Sequence, residues 1–254
     1  MRVLVTGAAG FVGRHVIRSL SEDFELRLGD IQPLDDPRWI ACDITNPESV
    51  RNAMQGVDAV LHLAMATGLE GSEEDDAFNQ VRFDVHVRGT FNVLKAAADA
   101  GVSRVIHTSS IMVVWGYEPP EFVAGDAPAK PVGTYAITKM LAEATCAEAV
   151  RQWDLSVLGL RIAKPVELDN PLLYSQPIRP QWIAMPELIR AYRLALQADL
   201  PSASFELITL VGESSQRRWD LSRAESLIGY RPEIRLEDLG CQLGSERAPL
   251  FEEN

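Results

Sequence analysis

The sequence has little cysteine and no side-chain spacing that suits a metal ion. Its three cysteines, Cys42, Cys146 and Cys241, lie far apart and include no Cys-x-x-Cys pair, so neither a disulfide framework nor a zinc site is indicated. The four histidines show no His-x-x-x-His pattern, and a single histidine is more often packed or solvated than a metal ligand. We therefore predict reduced cysteines and no bound metal.

Positive charge and long apolar runs are also lacking. The 254 residues contain 24 Lys and Arg against 36 Asp and Glu, a net charge of −12, which would repel nucleic acids and anionic membranes. No apolar run reaches the roughly 18 residues of a membrane-spanning helix, and the apolar stretch at the start is too short for a signal peptide. These absences predict a small-molecule substrate, no nucleic-acid or membrane partner, and a cytoplasmic location.

Short runs rich in β-branched residues alternate with longer amphipathic segments along the chain. The predicted strands are RVLVTG, FELRLGD, RWIACD, AVLHLA, RVIHTSS and LSVLGLR. The predicted helices span 11–20, 47–54, 78–100 and 135–152. Strands that are joined by a helix pair in parallel, because the crossover must return the chain to the same end of the sheet. The pattern predicts an α/β fold with a doubly wound parallel sheet.

The alternation weakens towards the C-terminus. Three segments that break it are candidate active-site loops: 68–76, 115–133 and 165–186. After these a helix, the apolar run FELITLVG and a short helix follow. We expect a core over residues 1–165 and a small substrate-side region over 166–254 that packs on this core and is not an independent domain.

The first predicted strand leads into a glycine-rich turn, VLVTGAAGFVG, in which Gly7, Gly10 and Gly13 are three residues apart. Glycine leaves room for a pyrophosphate beside the backbone, and the following helix supplies amide donors at its N-terminus. An ordinary glycine-rich turn is the alternative, but here strand, spacing, helix and a later acid coincide. The turn predicts a dinucleotide phosphate site that includes Phe11 and Val12.

The acid is Asp30, which ends the second predicted strand 20 residues after Gly10. A carboxylate there accepts hydrogen bonds from the adenosine ribose and repels a 2′-phosphate, which favours NAD over NADP. Asp43 follows the third strand, where it either meets the adenine amino group or caps a helix. The other predicted cofactor contacts are Ile31, Ile44, Leu63 and Ala64.

Tyr135 and Lys139 lie one helical turn apart in the segment GTYAITKM. Taken alone, a tyrosine at the edge of a buried face beside a solvated lysine is the more common arrangement. A phenol close to a cation loses its proton more easily, however, and this suits proton transfer to a substrate oxygen. The rest of the sequence pattern favours the second interpretation.

The glycine spacing, the TSS that ends the fifth predicted strand and Tyr-x-x-x-Lys together resemble the extended short-chain dehydrogenase/reductases, the NAD-dependent epimerase/dehydratase family, over residues 1 to about 165. Within this family the chain is most similar to the uronate dehydrogenases, through LRLGDIQPLDDP, CDI and RWDLSRAESLIGYRPE. The resemblance implies a Rossmann-type NAD-binding core. It also implies that Tyr135 is the general acid/base, that Lys139 lowers the pKa of Tyr135 and holds the nicotinamide ribose, and that Ser110, or less well Ser109, binds the reacting oxygen.

The resemblance also implies an assembly. In the family, the helices that correspond to 78–100 and 135–152 pair with their symmetry mates. We therefore expect a homodimer with a small-molecule substrate.

Three positions depart from the family pattern close to the catalytic residues. His86 stands where the motif Asn-Val-x-Gly-Thr has asparagine. Ile111 and Met112 follow Ser110, where a uronate dehydrogenase is expected to have an Asn-His pair. Polar sugar contacts are thereby lost, and a less polar substrate becomes a real alternative.

Two cations are candidate substrate ligands. Lys164 falls where sugar-nucleotide epimerases often carry asparagine, although a solvated lysine is an equally good interpretation. Arg179 has the guanidinium geometry to bind a carboxylate or phosphate through two hydrogen bonds, although a surface arginine is equally common. Neither residue identifies a ligand by itself.

Three functions follow from these observations. The favoured one is an NAD-dependent oxidoreductase or epimerase that acts at a hydroxyl or carbonyl carbon of a sugar-like molecule, such as a uronate or sugar nucleotide. The second is a dehydrogenase of a less polar secondary alcohol or ketone, which Ile111, Met112 and Trp115 favour. The third is a dinucleotide-binding protein without turnover, against which the intact set of serine, tyrosine and lysine argues.

The position of Asp30 generates a first prediction. NAD should bind more tightly than NADP, because the carboxylate repels the 2′-phosphate, and Asp30→Ala should narrow the difference by removing that repulsion. Titration of both cofactors into the two proteins measures the effect. Equal affinity of the unmodified protein for NAD and NADP would contradict the assignment.

Overall fold

The computed structural model describes residues 1–66 and 75–247. Its strands are β1 (Arg2–Thr6), β2 (Glu25–Asp30), β3 (Trp39–Ala41), β4 (Ala59–His62), β5 (Arg104–Ser110), β6 (Ser156–Ile162), β7 (Pro165–Val166), β8 (Ile183–Ala184) and β9 (Phe205–Leu210). Its α-helices are α1 (Phe11–Leu20), α2 (Pro47–Met54), α3 (Asp76–Arg82), α4 (Thr90–Asp99), α5 (Thr134–Gln152), α6 (Leu172–Ser175), α7 (Met185–Gln197) and α8 (Ser222–Ile228). A π-helical turn, Phe83–Gly89, joins α3 to α4, and 3₁₀ turns span Ile111–Val114 and Leu236–Leu239.

Seven strands of the described chain form a parallel sheet in the order β3-β2-β1-β4-β5-β6-β9. From β1 the chain builds outwards through β2 and β3, then crosses back to add β4 on the other side of β1. This reversal is the topological switch point of a doubly wound sheet, and it opens a crevice at the carboxyl ends of β1 and β4. The predicted Rossmann-type α/β fold is confirmed, and all six predicted strands are present.

The sheet continues past the predicted boundary at residue 165. Its seventh strand, β9, pairs in parallel with β6, from Val157 opposite Phe205 to Ile162 opposite Leu210. The apolar run FELITLVG thus completes the sheet. The short strands β7 and β8 pair separately beside it. The division into 1–165 and 166–254 therefore stays a prediction, but the sheet itself draws on both parts.

The structure does not form the predicted helix 78–100 as one continuous α-helix. Helix α3 begins earlier, at Asp76, because the Asp75 side chain accepts a hydrogen bond from the amide of Phe78 at 3.0 Å and so caps the helix. The helical stretch then passes through the π-helical turn before α4. Such turns accommodate an extra residue in a helix and often lie beside functional sites. Residues 68–74 of the predicted loop 68–76 lie outside the described residues.

Apolar side chains fill both faces of the sheet. One layer joins the sheet to α1 and α7, with Val16 and Tyr192 fully buried in it. The other joins the sheet to α2, α4 and α5, with Val93 and Cys146 at its centre. A smaller cluster around Trp182 holds the β7–β8 region. Searched over the described ranges, no helix combines the length and apolar character that a membrane crossing requires.

A buried ion pair fixes α5 to the sheet. The guanidinium of Arg161, on β6, donates to both carboxylate oxygens of Glu143, on α5, at 2.9 and 2.8 Å. Ser109, on β5, donates to the same carboxylate at 2.6 Å. The side chains of the two charged residues are each 6% exposed. Charges this deeply buried are tolerated because each is paired and hydrogen-bonded.

This pair generates a stability prediction. Glu143→Gln should lower the free energy of unfolding by about 3 kcal/mol, because it leaves the Arg161 guanidinium buried without a counter-charge. Glu148→Gln, on the same helix, is the matched control, because its ion pair with Arg151 is exposed and should change stability by less than about 0.5 kcal/mol. Urea unfolding followed by circular dichroism measures both variants. Equal losses in the two variants would show that the buried pair has no special role.

Candidate active site

At the switch point of the sheet, the backbone of the glycine-rich turn after β1 packs closely against the backbone that follows β4. A Cβ on Gly7, whose φ is +75°, would lie 2.7 Å from the Cα of Ala64 after β4. A Cβ on Gly13 would lie 2.4 Å from the carbonyl oxygen of Ala8. Neither position therefore tolerates a side chain, and α1 starts directly above the turn, with its first amides facing the crevice. The turn fits the pyrophosphate of a dinucleotide.

Asp30 is oriented by two backbone amides at the end of β2. Its carboxylate accepts from the amide of Ala9 at 2.8 Å and from the amide of Gln32 at 2.8 Å. It lies in the wall of a cavity of about 320 Å³, and the other predicted residues of that wall are Gly7, Gly10, Ile31, Asp43, Leu63 and Ala64. The predicted adenosine contacts therefore meet in one place.

Asp43 and Ile44 have different surroundings. The Asp43 carboxylate accepts from the amide and the hydroxyl of Thr45, at 2.8 and 2.7 Å. Helix α2 is capped by Asn46, so helix capping, the alternative for Asp43, is not its role. Ile44 is buried in the core, close to Gly89, and is not among the residues that line the first cavity. Its cofactor contact stays a prediction.

A second cavity, of about 460 Å³, continues from the first towards the catalytic residues. The two cavities share Gly7, Gly10, Leu63 and Met65. The predicted residues that line only the second are Phe11, Val12, Gly13, Ser110, Tyr135, Lys164 and Arg179. The structure thus brings the predicted cofactor and substrate residues together in two adjoining cavities.

Ser110 and Tyr135 are hydrogen-bonded to each other in this second cavity. Burial raises the pKa of the Tyr135 phenol, while the bond to Ser110 and the positive charge of Arg82 act in the opposite direction. Ser109 is already bonded to Glu143 behind the sheet. Adjacent residues of a strand face opposite sides, so only Ser110 can meet the tyrosine. The geometry therefore favours Ser110 over Ser109 as the catalytic serine.

Lys139 is buried behind Tyr135. Its ammonium donates to the carbonyl oxygen of Thr108 at 3.0 Å. Burial lowers the pKa of Lys139 to about 8, although the nearby carboxylate of Glu143 partly opposes this. The influences that lower the pKa of Tyr135 come from Ser110 and Arg82, and the effect expected from Lys139 is not among them. The ammonium is bonded to the strand carbonyl of Thr108 instead.

Both candidate substrate cations reach the second cavity. The Lys164 ammonium lies 5.1 Å from the ring centroid of Trp182, and the Arg179 guanidinium lies 5.8 Å from that of Trp115. Burial and the positive charge of Arg247 lower the pKa of Arg179. These cations therefore belong to the wall of the cavity, and cation–π contacts hold them against aromatic rings.

Several residues of the site had no clear signal in the sequence. Gln181 and Trp182 line the cavity from the predicted active-site loop 165–186, but nothing in the loop sequence singled out these two residues. Arg82 acts on Tyr135 from the helix that precedes the π-helical turn. Across the described ranges, no group of three His, Cys, Asp or Glu side chains is placed to hold a metal ion.

Comparison with known proteins agrees with this geometry. Residues 3–166 match the model of the NAD dependent epimerase/dehydratase family. An L-arabinose 1-dehydrogenase from Haloferax volcanii is 28% identical over 91% of this chain and 96% of its own length. A uronate dehydrogenase from Pseudomonas syringae is 25% identical over 98% of this chain and 87% of its own length.

A solved structure shows the same fold over nearly the whole chain. The crystal structure of uronate dehydrogenase from Agrobacterium tumefaciens is 25% identical, with a TM-score of 0.77, and the match covers 94% of this chain and 86% of that one. With 94% of this chain covered, the likeness extends well beyond the residues of the family match. With the glycine turn, Asp30 and the Ser110–Tyr135 pair in one groove, the chain belongs to the NAD-dependent epimerase/dehydratase family of the extended short-chain dehydrogenase/reductases, whose cofactor is NAD.

Proposed function

We propose that this protein is an NAD-dependent dehydrogenase that oxidises a hydroxyl group of a sugar carrying a carboxylate, that is, a uronate-like substrate. The observation that carries the proposal is the composition of the second cavity, in which the bonded pair Ser110 and Tyr135 shares one space with Lys164 and Arg179. The relatives named for arabinose and uronate oxidation support a sugar substrate.

The residues divide the chemistry between them. NAD, when bound, supplies the acceptor for the hydride that leaves the substrate carbon. The hydroxyl proton must leave at the same time, and the Tyr135 phenolate is the base that takes it. Ser110 holds the reacting oxygen beside the phenol through its own hydroxyl. Because burial raises the pKa of Tyr135, oxidation should become faster as the pH rises and more phenolate forms.

The charge of the cavity supports an anionic substrate. The chain carries a net charge of −12, yet Lys164 and Arg179 bring two cations to the same cavity wall. Arginine binds a carboxylate through two parallel hydrogen bonds, which also fixes the orientation of the sugar. The cations therefore favour a uronate over a neutral sugar.

One feature favours the second candidate, a less polar secondary alcohol or ketone. The walls of the cavity include Ile111, Met112, Trp115 and Trp182, so a large part of its surface is apolar. A sugar can place its CH faces on such rings and its carboxylate towards the two cations, whereas an apolar alcohol would use the rings alone. We therefore rank the apolar alcohol below the uronate.

We further propose that the protein forms a homodimer in the cytoplasm. Phe83, Phe91 and Ile137 expose large apolar side chains on the helical face formed by the π-helical turn, α4 and α5. A face of this kind suits burial against a second copy. The three cysteines are free thiols, as suits a reducing compartment.

The test of the activity is a screen for NADH formation. Uronates, the corresponding neutral sugars, sugar nucleotides and secondary alcohols are each supplied with NAD, and absorbance reports net reduction. We expect the fastest turnover with a uronate. An epimerase would convert its substrate without net NADH, and fastest turnover of an apolar alcohol would favour the second candidate.

Replacement of the three catalytic side chains should give defects of different kinds. Tyr135→Phe removes the base but keeps the ring, so turnover should fall by about 10²- to 10⁴-fold with little change in NAD affinity. Lys139→Met should weaken both turnover and NAD binding, whereas Ser110→Ala should chiefly lower turnover. Steady-state kinetics and cofactor titration measure these effects.

The matched control for the phenol is Tyr174→Phe. Its hydroxyl donates to the carbonyl of Leu168 at 2.7 Å outside the cavity, so its loss should leave kinetics unchanged. Full turnover in Tyr135→Phe would refute the catalytic role of this tyrosine.

The role of Arg179 is tested by comparing two substrates. Arg179→Gln should raise KM for a uronate by about tenfold or more, because a charge-assisted bidentate contact is lost. The KM for the neutral sugar of the same configuration should change little. Arg223→Gln is the control, since Arg223 pairs with Glu206 away from both cavities. An equal increase of KM for both sugars would show that Arg179 does not recognise the carboxylate.

A further inference from the structure

His86 occupies a buried position between two functional parts of the protein. It lies on the π-helical turn and is 2% exposed. Its Nδ1 lies 2.8 Å from the hydroxyl of Thr138 on α5, and its Nε2 lies 3.0 Å from the amide nitrogen of Ala66 after β4. The ring therefore connects the catalytic helix to the segment that borders the cofactor cavity.

The two contacts fix the tautomer of the ring. A backbone amide only donates, so Nε2 of His86 must accept the hydrogen bond from Ala66. Nδ1 then carries the proton and donates it to the Thr138 hydroxyl. Thr138 in turn donates to the carbonyl oxygen of Tyr135 at 2.9 Å. The hydrogen bonds thus run in one direction from Ala66 to Tyr135, and a neutral ring is required throughout.

The surroundings keep the ring neutral. Burial lowers the pKa of His86 to about 2, and Lys139 on α5, His62 on β4 and Arg82 on α3 disfavour a further positive charge. No nearby carboxylate is among these influences. His86 therefore stays neutral over the whole working pH range, with Nδ1 as the donor and Nε2 as the acceptor.

Both ends of this connection touch the proposed active site. Met65, which precedes Ala66, lines both cavities. Thr138 lies between Tyr135 and Lys139 on the catalytic helix. The His86 ring also meets the Tyr135 ring edge to face, with centroids 5.7 Å apart and planes at 83°. A shift of this histidine would therefore move the phenol relative to the cofactor groove.

We propose that His86 is a positioning residue that sets the distance between the Tyr135 phenol and the nicotinamide side of the cofactor groove, with Nδ1 holding the catalytic helix and Nε2 holding the segment after β4. The proposal rests on the proposed dehydrogenase function for its kinetic consequences. It assigns His86 no proton transfer of its own.

Three substitutions separate the two contacts. The amide nitrogen of asparagine can replace Nδ1, and the amide oxygen of glutamine can replace Nε2, whereas leucine replaces neither. His86→Asn should keep kcat within about threefold of the unmodified protein but weaken NAD binding about fivefold. His86→Gln should keep NAD affinity but lower kcat by roughly tenfold, because the helix loses its contact. His86→Leu should show both defects.

A matched pair of threonine variants isolates the helix contact. Thr138→Val removes the hydroxyl that His86 holds and should lower kcat with unchanged NAD affinity. Thr145→Val removes a comparable hydroxyl on the same helix, which donates to the carbonyl of Leu141 at 2.8 Å, and should change neither quantity. Thermal unfolding of every variant verifies that it is folded. Equal kcat and NAD affinity in the Asn, Gln and Leu variants would overturn the proposal.

A measurement without turnover separates this proposal from the proposed function. Nuclear magnetic resonance of labelled histidine nitrogens should show a His86 ring with Nδ1 protonated and Nε2 accepting, unchanged from about pH 5 to 9. The signal is assigned by its loss in His86→Asn. If no sugar is oxidised but this signal and the NAD affinities behave as stated, the dehydrogenase function fails and the positioning role stands. A ring protonated at Nε2, or one that titrates in this range, would refute the positioning role.

Discussion

The carboxylate of Glu143 is the contact on which the geometry of the catalytic helix depends. It is buried, and it joins three elements at once, because it lies on α5, accepts from Ser109 on β5 and pairs with Arg161 on β6. Lys139 lies one turn before it and Tyr135 two turns before it on the same helix. A helix fixed at this point presents the lysine to the strand carbonyls and the phenol to the crevice. The cost of burying two charges is offset only because every partner is in place.

The other half of the site depends on the switch point of the sheet. The chain leaves β1 in one direction and returns to add β4 in the other, and this reversal opens the crevice at the carboxyl ends of these two strands. Gly7 allows the first turn to approach Ala64 closely, and the amide of Ala9 in that turn donates to Asp30. Cofactor and substrate cavities then meet beside Met65. Lys164 and Arg179 lie in the wall of the substrate cavity. Because the chain as a whole has a net negative charge, these two cations make the charge of this wall differ from that of the chain as a whole.

Much of this architecture could be predicted from the sequence, because local rules govern it. Glycine spacing, strand-helix alternation and an acid at the end of β2 reflect steric and hydrogen-bonding requirements within a few residues. Residues brought together by tertiary packing gave no such signal. The seventh strand comes from beyond residue 200, Gln181 and Trp182 lie on an irregular loop, and the π-helical turn has no distinct periodicity. Ile44 follows a strand as a cofactor contact should, but its side chain points into the core.

Strand β5 carries two adjacent serines whose side chains point to opposite faces of the sheet and have different partners. Ser109 faces α5 and Ser110 faces the substrate cavity, while the strand pairs with β6 without interruption from Arg104 opposite Ser156 to Ser110 opposite Ile162. A slip of one residue in this pairing would turn both side chains to the opposite faces, so Glu143 and Tyr135 would each lose the serine that now meets it. The register of one strand therefore determines both which hydroxyl meets the catalytic helix and which hydroxyl faces the substrate cavity.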